Sequence, residues 1–160
     1  MYFRFLSLFL FSFASSAFAL DSTCEMVLKS SEARIKQPTW YSITKIRDKI
    51  QMEVIKAKGQ FYRRVAGKWT KFPADIDDAE RKLLALVRSG EWKMTQCKVV
   101  GSEVVDGTPV TIVSSRTEVK GEPPRNAKLY IGKSDGLPYK QTGDNFNVVY
   151  RYKGVVEPKL

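Results

Sequence analysis

Residues 128–140 read KLYIGKSDGLPYK, and the rest of the chain is most easily read outward from them. An apolar run, Leu129-Tyr130-Ile131, meets the turn residues Ser134-Asp135-Gly136, and a second short run follows with Pro138 in it. Turn residues between two such runs predict a β-hairpin. No catalytic group is gathered in it, so its role must come from what surrounds it.

Toward the C-terminus, FNVVYRY (146–152) predicts a strand with Phe146, Val148, Tyr150 and Tyr152 on one side and Asn147, Val149 and Arg151 on the other. Toward the N-terminus, GEPPRN (121–126) predicts a loop, since consecutive prolines cannot sit in a central strand. Asp106-Gly107 divides two β-rich runs, Lys93–Val105 and Thr108–Val119, a second hairpin. Before it, Ile76–Arg88 predicts a helix. Asp75 is the expected N-cap, Asp77, Asp78 and Glu80 lie in the first turn, and Ile76, Ala79, Leu83, Leu86 and Val87 form an apolar stripe.

Residues 39–72 read as three or four antiparallel strands, with Ile50, Met52 and Val54 alternating with Gln51 and Glu53, and Gly59 and Ala66-Gly67 as turns. A first helix is expected over 22–37, ended by Pro38. The order helix, strands, helix, strands predicts an α+β fold: one strongly curved antiparallel sheet with its helices on one face.

Residues 1–19 match a secretory leader: one basic residue (Arg4), an apolar run from Phe5 to Phe13, and the ending Ala17-Phe18-Ala19. A membrane anchor would need about 20 predominantly apolar residues, and serines interrupt this shorter run. A lipid anchor on Cys24 is disfavoured by Asp21 just before it. The expectation is therefore a cleaved leader, one domain over 20–160, no later membrane span, and a soluble periplasmic protein. The chain has two cysteines, Cys24 and Cys97, and no histidine. An even cysteine count behind an export signal predicts a disulfide between them rather than a metal site.

Of the 27 basic residues only Arg4 lies in the leader, so the remainder carries nine more basic than acidic residues. Export removes nucleic acid as a partner and leaves anionic lipid headgroups or acidic surfaces. The bland alternative is charge that keeps a small domain soluble. From Val54 to Ala74 no acidic residue occurs, while Lys56, Lys58, Arg63, Arg64, Lys68 and Lys71 interleave with Phe61, Tyr62, Trp69 and Phe72. These six are the candidate rim for anionic headgroups; a solvated sheet face above core aromatics is the alternative.

Enzyme readings find little support. Without histidine, Ser-His and Cys-His nucleophiles are excluded. Ser42 and Lys45 fit S-x-x-K but fall in a predicted strand, where residues three apart face opposite ways. DIDDAE (75–80) has Glu80 where a calcium loop requires glycine. No Gly-rich phosphate loop is present, and no cofactor or metal is expected.

The stretch LYIGKSDGLPYKQTGDNFNVVYRY (129–152) resembles the C-terminal part of the LolA-like family of periplasmic lipoprotein-sorting proteins. The shared elements are Tyr130-Ile131, the Ser134-Asp135 turn, Gly136-Leu137-Pro138, Lys140 and the strand after them; the GKWTKF hairpin and the central helix also fit. This resemblance implies an open β-barrel with helices on its concave face, holding acyl chains in an apolar cavity. The Cys24/Cys97 pair and a chain shorter than the dedicated carriers depart from the pattern, and no arginine is matched to the carriers' functional one. Strand alternation nominates Trp40, Ile50, Met52, Val54, Phe146, Val148 and Tyr150 for the cavity wall. The expected function is non-enzymatic binding or carriage of a lipid or an acylated lipoprotein. The alternative is an envelope protein-interaction or sensor module on the same fold.

Overall fold

A computed structural model describes residues 20–160; the expected leader, residues 1–19, lies outside the described residues. The chain runs α1 (Ser22–Ile35), β1 (Trp40–Ile46), β2 (Lys49–Ala57), β3 (Gln60–Val65), β4 (Lys68–Phe72), α2 (Ile76–Arg88), β5 (Lys93–Val105), β6 (Thr108–Glu118), β7 (Arg125–Gly132), β8 (Pro138–Gly143) and β9 (Phe146–Arg151). Asp21 caps α1 by accepting from the Thr23 amide (2.7 Å), and the helix stops two residues before the expected Gln37. Pro38 disfavours helical backbone at the residue before it, which accounts for the early stop. Asp75 caps α2 by accepting from the Asp78 amide (2.8 Å).

Nine strands form one antiparallel sheet in the order β4-β3-β2-β1-β9-β8-β7-β6-β5. Two meanders, β1–β4 and β5–β9, meet at the seam where β1 pairs with β9. The sheet does not close, because β4 and β5 are its two edges. The chain leaves the sheet at β4 and re-enters at β5, and α2 lies on that crossing. In a flat nine-stranded sheet the edges would lie roughly 38 Å apart, at about 4.8 Å per strand. Helix α2, only about 20 Å long, packs Ile76 with Trp40 and Phe61 of one half and sets Leu83 and Val87 over β5–β8 of the other, which favours a curled sheet. Register breaks between β1 and β2, within β5–β6 and between β7 and β8 add local bend and twist.

The β7–β8 hairpin shows why its sequence is so specific. The Gly132 amide donates to Leu137 O (2.8 Å), the Leu137 amide to Asp135 Oδ1 (3.0 Å), and the Tyr139 hydroxyl to Asp135 Oδ2 (2.8 Å). A Cβ on Gly132 would collide with the Asp135 carboxylate, and Gly136 takes φ 70° at the turn. Pro138 opens β8, where a missing ladder donor is tolerated. β7 begins at Arg125, inside the stretch expected to be loop, and leaves only 121–124 before it.

Three apolar clusters hold the sheet. On the concave face, Val27 of α1 packs with Val113, Leu129, Ile131 and Met94. At the other end of the same face, Trp40, Val54 and Phe61 pack with Phe72, Ile76 and Tyr152. On the convex face, Ile55, Ala57 and Tyr62 pack with Tyr41, Trp69 and Val155. The C-terminal residues strap this third cluster, with the Tyr62 hydroxyl donating to Glu157 (2.5 Å) and Lys58 paired with Glu157 (2.9 Å).

Cys24 and Cys97 form the expected disulfide between α1 and β5. Simple alternation from Thr95 would point Cys97 away from α1. Between Thr95 and Lys98 the β5–β6 register shifts, with Gln96 at φ 53°, and this bulge turns Cys97 toward the helix. Replacing both cysteines with serine is expected to lower stability by about 2–4 kcal/mol, since the bridge closes a long loop in the unfolded chain. Urea titration of the oxidised protein and the double variant measures the difference.

Candidate functional site

Helix α2 has a clean apolar stripe, yet only Asp77 and Val87 along it are buried, and Leu83 is 45% exposed. It packs against α1, and its stripe overhangs a cavity between the two helices and the β5–β8 half of the sheet. The cavity measures about 420 Å³. Val27, Leu83, Leu84 and Val87 form its helical side; Met94, Leu129, Gln141 and Tyr150 are among its sheet residues. Ligand clefts commonly measure about 300–1,000 Å³ with mostly apolar walls and a few polar groups, and this cavity falls within that class.

A buried charge cluster sits at one end. Arg34, 3% exposed, pairs with Asp77 (3.9 Å) and Glu80, and its guanidinium lies 4.6 Å from the Trp40 ring centroid and 5.5 Å from that of Tyr150. Lys56 Nζ reaches Asp77 Oδ2 (2.5 Å) and Ile35 O (2.9 Å). The end of α1, strand β2 and the start of α2 are thereby joined. At the other end, Arg88 of α2 donates to Glu25 and Glu32 of α1, and those hydrogen bonds hold its guanidinium above its ordinary range. The two helices therefore run antiparallel, tied at both ends.

The nominated wall residues divide. Tyr150 lines the cavity. Trp40 and Val54 lie on the same face but are buried in the neighbouring cluster. Phe146 and Val148 are half-buried further along β9, opposite Ile46 and Thr44. Met52 is 40% exposed and Ile50 57% exposed, so these two face solvent. The bulge in β1–β2 sets Ile50 opposite Lys45, and β1 alternation puts Lys45 on the convex side. Period-two counting through that bulge reads Ile50 onto the wrong face.

The nominated basic rim divides as well. Lys56 is half-buried in the charge cluster, so it is an internal cation. Lys58 is exposed and paired with Glu157, and Arg64 is paired with Glu53 (3.2 Å) on the convex side. Arg63 lies over the Phe72 ring (5.1 Å) on the concave side; Lys68 and Lys71 are exposed on opposite faces of β4. The six do not form one patch.

The residues that sequence reasoning missed are Arg34 and Asp77. On α1 the buried positions are Cys24, Val27, Leu28, Ser30 and Arg34, so a charged side chain closes an otherwise apolar or small face. Asp77 looked like one more acid favoured by the helix dipole. A lone arginine on a buried helix face and an acid in the next helix's first turn were the only available signal.

No protein-family model matches the sequence, nor does any curated protein. Solved structures do. The Mycobacterium tuberculosis lipoprotein LppX aligns over 84% of this chain and 97% of its own, at 12% identity and a TM-score of 0.55. LprF from Mycobacterium bovis aligns over 86% and 96%, at 12% identity and 0.56. This is the LolA-like fold. MucB aligns over 84% of this chain and 60% of its own, with a TM-score of 0.48. At 12% identity the likeness speaks for the fold alone. Among the described residues no helix is long and apolar enough to cross a membrane, and no group of three or more His, Cys, Asp or Glu could hold a metal.

Two outcomes are expected of the buried groups. Asp77→Asn leaves Lys56 without a carboxylate partner and Arg34 with Glu80 alone, and should cost about 3–5 kcal/mol. Asp78→Asn, in the exposed pair with Lys82, should leave the urea midpoint unchanged. Burial holds the phenols of Tyr150 and Tyr152 above their ordinary range, against the pull of Arg34. A phenol whose pKa is raised by folding keeps its proton longer in the folded chain, so its stabilising share is intact below about pH 10 and is lost above it. In an alkaline titration followed by tyrosinate absorbance, two tyrosines should ionise only together with loss of structure.

Proposed function

We propose that this protein is a non-enzymatic, exported binding protein that holds an acyl chain, of a lipid or a lipoprotein, in the cavity beneath α2. The observation that carries this reading is the stripe of α2. A helix whose apolar face is satisfied by its own fold buries that face, whereas here Leu83 stays 45% exposed above an open space. An acyl chain supplies the missing apolar contact without needing hydrogen-bond partners. Gln141 and the Tyr150 hydroxyl are polar groups in the lining that could orient a carbonyl or headgroup. The LolA-like fold supports the reading as a scaffold for such a space. A periplasmic location follows from the leader expected in residues 1–19.

The test is direct. A solvatochromic fatty-acid probe should bind the protein with one-to-one stoichiometry. Leu83→Glu, which sets a charge over the cavity, and Thr117→Trp, which fills it, should each weaken binding at least about tenfold. Met52→Glu, on the exposed part of β2, should not. Native mass spectrometry of protein purified from its own compartment should show a co-purifying lipid. Absence of probe binding by the parent protein would sink the carrier reading and favour a protein-interaction module on the same fold.

A further inference from the structure

We propose that the convex face of the β5–β8 half carries a binding site for a phosphate group, centred on Ser114 between Lys98 and Lys128. It lies on the other side of the sheet from the cavity and does not rest on the acyl-chain reading.

The register builds it. Lys98, Ser114, Lys128 and Thr142 are successive cross-strand partners on β5, β6, β7 and β8, so they form one row across the sheet. Adjacent strands lie about 4.8 Å apart, which places the two lysine backbones roughly 10 Å apart with only a serine between them. Their long stems can therefore converge on one anion above Ser114. Arg116 and Asn126, cross-strand partners, form the next row on the same side, and Tyr130 stands beyond the other flank of the lysine row. Together these residues line a depression of about 420 Å³.

Its electrostatics point one way. Arg116 is held by Glu118 through Nε alone (3.0 Å), and Lys140 reaches Glu103 (3.7 Å) while lying 4.6 Å from the Tyr130 ring centroid. Lys98 and Lys128 have no carboxylate partner among the described residues. Asp144, on the β8–β9 turn, is the only acid in the lining. An ordinary solvated face intersperses both signs of charge. Here Lys98, Lys128 and Arg116 instead surround the Ser114 and Thr142 hydroxyls and the Asn126 carboxamide, with Glu118 and Asp144 at the margins. Charge-assisted hydrogen bonds from ammonium and guanidinium groups are about twice as strong as neutral ones, and the arginine fork matches phosphate oxygens. The phosphate could be that of a lipid headgroup or of a soluble ester, and the two sources are separable by experiment.

Binding of inorganic phosphate is followed by amide chemical shifts at low salt, and binding to vesicles by co-sedimentation with phosphatidylglycerol or with phosphatidylcholine. The parent protein is compared with K98E/K128E and with K68E/K71E, which makes the same change in net charge on β4. The expected result is a loss of about tenfold or more in K98E/K128E and less than about threefold in K68E/K71E, since long-range charge is screened while direct contacts are not. Ser114→Trp, which fills the row without changing charge, should reproduce the loss and serves if the charge reversal fails to fold. Phosphate shifts confined to this row, abolished by either variant, establish a soluble-ester site. Binding only to phosphatidylglycerol, with the same losses, establishes the headgroup as the source. Equal losses in K98E/K128E and K68E/K71E, unchanged binding in both, or no binding by the parent in either arm overturns the proposal.

Discussion

The crossing from β4 to β5 governs this architecture. The helix on that crossing touches both halves of the sheet, with Ile76 on the β1–β3 cluster and Leu83 and Val87 over β5–β8. Curling the strands shortens that path and gives the helix a hollow to cross. Two helices then cover a concavity too broad for them to fill, because α1 takes the sheet surface over β5–β8 and α2 is left stacked against α1. The space under α2 is thus a geometric remainder of the topology. Filling it would require either bulkier residues on α2 or a guest.

Apolar packing and ion pairs at both ends keep α2 in place over that space. Half-buried Ile76 and buried Val87 anchor the two ends of its apolar stripe, and Asp77 and Glu80 at one end and Arg88 at the other pair it with α1 and β2. The inner cluster is dry, with Arg34 at 3% exposure, and the outer one is wet. Dry ion pairs resist salt and depend on good geometry, while wet ones contribute little and yield readily. Helix α2 is therefore tied by a dry cluster at its N-terminal end and by an exposed one at its C-terminal end.

The sequence was legible wherever local chemistry acts alone. The bounds of α2 follow from its Asp75 cap and the Ser89-Gly90 stop, and the β7–β8 hairpin from a turn that only glycine, aspartate and proline can make in that order. It was illegible wherever one residue is inserted into a ladder. The bulge opposite Lys45 turned Ile50 out of the expected wall, and the bulge at Gln96–Cys97 turned Cys97 in. Arg34 was hidden for another reason: its partners are 43 and 46 positions away, on a helix whose acids have an adequate local explanation. The basic stretch over β2–β4 failed as a patch because alternation sends neighbouring cations to opposite faces, whereas the row at Ser114 joins residues spread from 98 to 142 and has no linear signature.

The seam between β1 and β9 has a consequence for how the molecule is made. The first strand to emerge cannot acquire its second neighbour until the last strand has been delivered, more than a hundred residues later. For all of that interval β1 presents a bare ladder edge, the kind of surface on which strands of other chains add. A chain threaded unfolded across a membrane would expose this edge on the far side while its own partner was still in transit. Completion of the sheet's centre is therefore tied to delivery of the C-terminal strand.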